Sequence, residues 1–236
     1  MTKHLTRDLE GLERRLLFLA GEVEEAVRRS IRALLDRRAE LAERVIDGDD
    51  EIDRHEVELE EECLKVLALH NPVASDLRFI VACLKIENDL ERIADLAANI
   101  AERSVSFSAK SELTVPPRIR EMVETCARML RHSIDAFVRG DAQLARRICE
   151  EDAQVDRANR LIIQELLEAM HRDPACIDQA VELISVSKNL ERIGDHATNI
   201  AEDVVYLVEG DIIRHKLSAR PGAAAQPQPG TGARDR

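Results

Sequence analysis

Helix breakers are almost missing from the first 218 of the 236 residues, where Pro72, Pro116, Pro117 and Pro174 are the only prolines and six glycines are spread. The other three prolines and three glycines crowd into residues 219–236. Proline removes a backbone donor and clashes with the preceding turn, so a chain this poor in breakers is confined to a few long helices. Composition agrees. Five residues are aromatic, none is Trp, and Ala, Leu, Glu, Arg and Ile dominate. Strand formers are too scarce for a sandwich or barrel.

Apolar periodicity locates the helices. Leu9, Leu12, Leu16, Leu19, Val23, Val27, Ile31 and Leu34 recur every three or four residues, as on one face of a helix. A second pattern runs from Leu41 through Val45, Ile52, Leu59, Leu64 and Leu67, and stops at His70-Asn71-Pro72. A third starts near Ser75, with Ser75 or Asp76 as its cap, and passes through Leu77, Ile80, Leu84, Leu90, Ile93 and Ile100. After a polar, proline-bearing stretch at 111–117, three more helices are expected near 118–139, 141–171 and 175–208. The expected fold is all-α: two tandem antiparallel three-helix bundles, over 1–110 and 118–210, joined by the linker 111–117. A C-terminal segment, 211–236, follows. From about residue 219 its low-complexity composition predicts disorder.

The two halves are copies. Residues 90–102 lie over 190–202 at an offset of 100, with ten of thirteen pairs identical. Upstream the offset is 103, placing Ser30-Ile31 on Ser133-Ile134, Leu41-Ala42 on Leu144-Ala145, and Asp49/Asp53 on Asp152/Asp156.

Each copy carries two carboxylate pairs four residues apart: Asp49/Asp53 and Glu91/Asp95, then Asp152/Asp156 and Glu191/Asp195. Such residues share a helix face, where like charges cost about 0.2–0.5 kcal/mol per exposed pair. In an antiparallel hairpin, facing residues keep a constant sum of residue numbers. Asp53 and Glu91 sum to 144, as do Asp49 and Asp95, which centres the hairpin on Pro72. Asp156 with Glu191, and Asp152 with Asp195, sum to 347, centred on Asp173-Pro174. Four carboxylates therefore meet at one level of each hairpin. Such a set calls for cations, and its hard oxygens suit iron, manganese, magnesium or calcium. Ordinary solvated helix charges, neutralised by Arg92 and Arg192, are the alternative. Registration and duplication of both quartets favour metal.

Other residues offer less. Asn99 and Asn199 extend the stripe as outer ligands or as interhelical hydrogen bonds. Glu87 extends it one turn the other way, but its counterpart is Ser187. His196 stands where the first copy has Leu96, and reads as a packing or surface residue. Glu168 and His171 form one ExxH at a helix end, without a second copy. Cys63, Cys83, Cys126, Cys149 and Cys176 show no CxxC pairing, which predicts reduced thiols packed as small hydrophobes. The net charge is −12, and −14 without the tail, which opposes nucleic-acid binding. No signal peptide or membrane span is legible, so a cytoplasmic protein is expected.

The segments Asn71-Pro72-Val73-Ala74-Ser75-Asp76-Leu77-Arg78, Leu90-Glu91-Arg92-Ile93-Ala94-Asp95 and Asn99-Ile100-Ala101-Glu102 resemble the PhoU family of phosphate-signalling proteins. Residues 189–200 are similar to its second repeat, and the likeness spans about 5–210. The resemblance implies a homodimeric accessory regulator of the phosphate ABC transporter. Such a protein contacts the transporter's ATPase subunit and reports phosphate sufficiency to a sensor histidine kinase, repressing phosphate-starvation genes. It also implies multinuclear clusters of divalent or trivalent ions (iron, zinc, manganese or magnesium) at the eight carboxylates named above. Ala94 departs from the family's glycine, retained as Gly194, and its methyl is expected to widen the first site. A non-enzymatic adaptor is the expected function. A carboxylate-bridged di-metal enzyme and a purely structural helical protein are the alternatives.

Overall fold

The computed structural model describes residues 3–110 and 113–210, with the side chains of 108–110 left aside. The expected disordered tail lies outside the described residues. Six long helices follow in order: α1 (Lys3–Asp36), α2 (Ala39–His70), α3 (Ser75–Lys110), α4 (Pro117–Arg139), α5 (Ala142–Arg172) and α6 (Ile177–Glu209). A single 3₁₀ turn, Pro174–Cys176, leads into α6. Helices α1–α3 form one antiparallel bundle and α4–α6 the other, as the periodicity and the duplication predict.

The apolar stripes account for the packing. In α1, Leu12, Leu16, Leu19, Val23, Val27, Ile31 and Leu34 are all buried. In α2 the buried residues Val45, Ile52, Leu59 and Val66 fall seven apart, the spacing of a coiled-coil seam. Ile148, Val155 and Ile162 repeat the pattern in α5 at the same offset of 103. Two expected core residues lie outside the seam. Leu64 is 52% and Leu77 41% exposed, and Cys63 and Val66 take the inward positions near the end of α2. The cysteines are free thiols, four of them buried. Burial pushes the Cys63 and Cys126 thiols up to about 12, as inert packing residues require.

Helix ends follow local chemistry. Asp141 accepts from Leu144 N at 2.9 Å and caps α5. Gly140, at φ 59°, supplies the left-handed residue that ends α4, and Asp141 N donates back to Ala136 O at 2.9 Å. The first copy repeats this geometry with poorer residues: Arg37 sits at φ 52°, Arg38 N donates to Ala33 O at 2.9 Å, and Arg38 makes no side-chain cap. Ser75 and Asp76 are not caps. Arg78 N bonds Ala74 O at 3.1 Å, so the helical bonding begins at Ala74, at φ 50°. Asp173 accepts from Ala175 N at 3.1 Å and winds the 3₁₀ turn that delays α6 to Ile177.

The bundles are not separate beads. α3 and α6 cross antiparallel and bury Leu90, Ile93, Ala97 and Ile100 with Leu190, Ile193, Ala197 and Ile200 in one continuous core. Polar pairs flank this seam: Lys85 Nζ to Asp203 Oδ1 at 3.0 Å, His196 Nδ1 to Asp89 Oδ1 at 2.8 Å, and Asn199 Nδ2 to the same oxygen at 3.2 Å. Phe79 stacks on Phe137 with ring centroids 5.6 Å apart.

Replacing Arg38 by Asp gives α2 the cap that α5 already has. The expected gain is about 1 kcal/mol, since Ser, Thr, Asp and Asn caps contribute roughly 0.5–2 kcal/mol. Urea unfolding measures it, and a lower midpoint for Arg38→Asp would overturn this account of the α1–α2 turn. Leu190→Ala should cost about 2–5 kcal/mol and shift one shared transition, because the core is continuous. Two resolved transitions would contradict that continuity.

Candidate metal centres on the two proline hairpins

The four carboxylates of each copy stand at one level. α2 presents Asp49 and Asp53 one turn apart, and α3 presents Glu91 and Asp95 back to them. Their charges act on one another across the hairpin. Asp49 is pushed up to about 6 by burial, then by Asp53 and Asp95. Asp53 is raised by burial and by Asp95, and Glu91 by burial, Asp95 and, more weakly, Asp53. The second copy repeats this. Asp152 is pushed up to about 7 by burial, then by Asp195, Asp156 and Glu191. Burial, Asp195 and Asp156 raise Glu191, while burial and Asp156 raise Asp195. Asp49 with Asp95 and Asp152 with Asp195 follow the constant index sums, whereas Asp53 is acted on by Asp95 and Glu191 first by Asp195.

Compensation within the chain is partial. Arg92 reaches Glu91 at 3.3 Å and Asp95 at 3.2 Å, and Arg160 reaches Asp156 at 3.8 Å. Arg92 is 54% and Arg160 64% exposed, so solvent screens both. In the second quartet the buried Asp152 Oδ1 has no hydrogen-bond partner, whereas in the first Glu91 Oε2 is ion-paired with Arg92 Nε at 3.3 Å. Buried carboxylate oxygens are normally satisfied, so Asp152 Oδ1 marks a place for a donor or a cation. Among the described residues, no three His, Cys, Asp or Glu side chains converge as a finished metal site. The backbone sets the level, and closure onto an ion requires side-chain rotation.

Gly194 lies where α6 packs tightly on α5. A Cβ there would sit 3.2 Å from Val155 Cγ1 and 3.5 Å from Asp152 Oδ1. Ala94, its counterpart, is buried at 1% exposure beside Ile52 in the same core. Burial is the leading cause of the raised carboxyl in both copies, at Asp49 and at Asp152.

The minor candidates divide. Asn199 makes an interhelical bond, to Asp89, whereas Asn99 bonds back to Asp95 O at 2.8 Å. His196 is neither bare surface nor apolar packing, but the partner of Asp89 across the α3–α6 seam. Glu168 accepts from Gln164 at 3.0 Å and His171 contacts Leu167 O at 2.7 Å, both exposed and local to α5. The sequence reading overlooked Glu56 and Glu60. They face Glu87, which is 2% exposed and pushed up to about 8 by burial and then by those two charges. The same index sum could have found them, since 144 less 87 falls between 56 and 60.

With this geometry in view, comparisons with known proteins become informative. The family model described as PhoU domain matches residues 16–104 and again 119–204. A Pseudomonas aeruginosa protein named phosphate-specific transport system accessory protein PhoU homolog is 38% identical over 223 residues, covering 91% of each chain. The Aquifex aeolicus protein of that name is 39% identical over 212 residues, 90% of this chain and 96% of the relative. The crystal structure of PhoU from Pseudomonas aeruginosa superposes with a TM-score of 0.84, covering 87% of this chain and 99% of that one. The phosphate transport system regulatory protein PhoU from Streptococcus pneumoniae gives 0.83 at 29% identity, covering 88% and 98%.

The raised carboxylates fix a sign for pH dependence. Glu87, Asp152 and Asp49 titrate near 8, 7 and 6 in the folded protein, against 4.5, 3.8 and 3.8 for unperturbed groups. Between roughly pH 4 and 8 the folded state therefore holds more protons than the unfolded chain, so stability falls as pH rises through that window. In EDTA, the melting temperature should drop from pH 5 to pH 8, and Glu87→Gln should flatten the drop. A melting temperature that climbs over this range would contradict the burial described.

Proposed function

The chain belongs to the PhoU family, and on that premise we propose that it is a metal-binding adaptor coupling the phosphate transporter to a sensor histidine kinase. A regulatory role in phosphate transport is carried by one observation: both PhoU repeats are present, and relatives named as accessory proteins of that system align along about nine tenths of the chain. The adaptor acts as a homodimer at the cytoplasmic face. It binds the transporter's ATPase subunit, damps uptake and holds the kinase in its repressing state when phosphate is plentiful. Among the described residues no helix is long and apolar enough to cross a membrane, which suits a protein that reaches the membrane through partners.

Hard divalent or trivalent cations sit at the two carboxylate levels, held by Asp49, Asp53, Glu91 and Asp95 in one bundle and by Asp152, Asp156, Glu191 and Asp195 in the other. The orphaned oxygen Asp152 Oδ1 and the all-oxygen donor sets support this. The bound ions supply positive charge between helices whose carboxylates otherwise repel. They tie α2 to α3 and α5 to α6, so each bundle keeps the shape of its docking surface. Both ExxH residues are engaged locally on α5, which leaves the enzyme reading without support.

Pull-down of the transporter ATPase with the full chain tests the adaptor role. Co-purification is expected from phosphate-replete cells, and deletion of the chain should derepress a phosphate-starvation reporter in phosphate-rich medium. A reporter that stays repressed, in a cell without a second copy of the gene, would contradict it. Glu91→Ala with Asp95→Ala should empty the first site and spare the second, with metal-free stability held or raised by the relief of like-charge repulsion. Unchanged metal content in that variant would remove the ligand assignment.

A further inference from the structure

The two copies differ one helical turn from their quartets, toward the proline. In the second bundle this layer is neutral and closed: Ser187 Oγ donates to Asn159 Oδ1 at 2.7 Å. In the first, the same positions are Glu87 and Glu56, at offsets of 100 and 103. The bonded pair in the second copy shows that side chains at these positions reach one another across the hairpin. Two carboxylates thus replace a hydrogen bond. Glu60, whose counterpart is Ile163, adds a third from the solvent side.

Glu87 is not a surface charge. Its residue is 2% exposed, and its buried Oε2 has no hydrogen-bond partner. The charges of Glu56 and Glu60 bear on it, that of Asp53 on Glu56, and that of Glu56 on Glu91, so the layer is continuous with the first quartet. Among the described residues no basic side chain acts on Glu87; Arg92 acts on Glu56 and Glu91 instead. A buried carboxylate with an orphaned oxygen, facing two more carboxylates, lacks a positive partner.

We propose that the first bundle holds one more hard divalent cation than the second, bound by Glu87 and Glu56 with Glu60 on its outer side, next to the Asp49/Asp53/Glu91/Asp95 quartet. The inference rests on the reading of the quartets as metal sites and goes beyond it, since the duplicated motif alone predicts two equal sites. The donors are all carboxylate oxygens, which select manganese- or magnesium-like ions over soft ones. Cys63 and Cys83 lie deeper, with thiols raised by burial, and remain protonated packing residues.

The test is Mn²⁺ binding to the full chain after chelator treatment, counted by elemental analysis and by titration. Two variants are compared with the parent: Glu56→Asn with Glu87→Ser, which moves the neutral layer of the second bundle into the first, and Glu87→Gln, which keeps shape and removes charge. Both should fold, because the first installs a pair already stable in the second bundle and the second is isosteric. The expected result is a loss of about one Mn²⁺ per chain in each variant, with the remaining ions bound at unchanged affinity. Equal stoichiometry in parent and variants, with the quartets filled, would overturn the extra site alone. Loss of all Mn²⁺ in Glu87→Gln would also overturn it, by making Glu87 inseparable from the quartet. A parent that binds no Mn²⁺ would remove the quartet reading, and this inference with it.

Discussion

The register of the helices flanking Pro72 and Pro174 governs what these bundles can do. The α2 seam of Ile52, Leu59 and Val66, and its α5 copy, fix each hairpin longitudinally, because a slip would lift apolar side chains out of a continuous core. Once that register is set, the acidic positions have no freedom of level. Asp53 must meet Glu91 and Asp49 must meet Asp95, however much their charges oppose it. Hydrophobic burial thus holds a repulsive cluster together, and the cost appears as carboxyls raised above their usual range. This arrangement is poised for cations, which would reverse the sign of the interaction without moving a helix axis.

The α3–α6 crossing carries the second constraint. It joins the copies through a buried core that includes the small residues Ala97, Ala197 and Ala201. Polar pairs then make the joint specific. Asp89 receives His196 and Asn199, and the nearly buried Asp203 receives Lys85. Since α3 and α6 also carry Glu91, Asp95, Glu191 and Asp195, each carboxylate level lies on a helix that touches the other bundle. A change at one level has a short mechanical route to the other, through rigid helices instead of a linker.

Much of this was legible in the sequence, for physical reasons. The helices and their turns followed from periodicity and from four prolines, because long amphipathic helices leave a strong three-to-four spacing. The pairing of Asp53 with Glu91 followed from equal helical rise on both sides of Pro72. Other features were harder to read. Leu64 and Leu77 fit a three-to-four pattern yet face solvent, since near helix ends Cys63 and Val66 satisfy the same periodicity. The start of α3 at Ser75 was legible, but Ala74 was hidden as its cap position because Ser75 and Asp76 are far better cap formers by composition. The Asp89–His196 pair depends on how the two bundles cross, which no periodicity within a single helix encodes. Glu56 and Glu87 were accessible through the index sum, but the repeat hides them, because their copies are Asn159 and Ser187.

The central claim is that helix register, set by apolar packing, places two cation sites on the proline hairpins. Anomalous scattering at the manganese edge from crystals of the full chain grown with Mn²⁺ tests it most directly. The account predicts peaks between α2 and α3 beside Asp53 and Glu91, and between α5 and α6 beside Asp156 and Glu191. Well-ordered crystals with no peak at either level, or with Mn²⁺ bound only at carboxylates elsewhere on the surface, would contradict it.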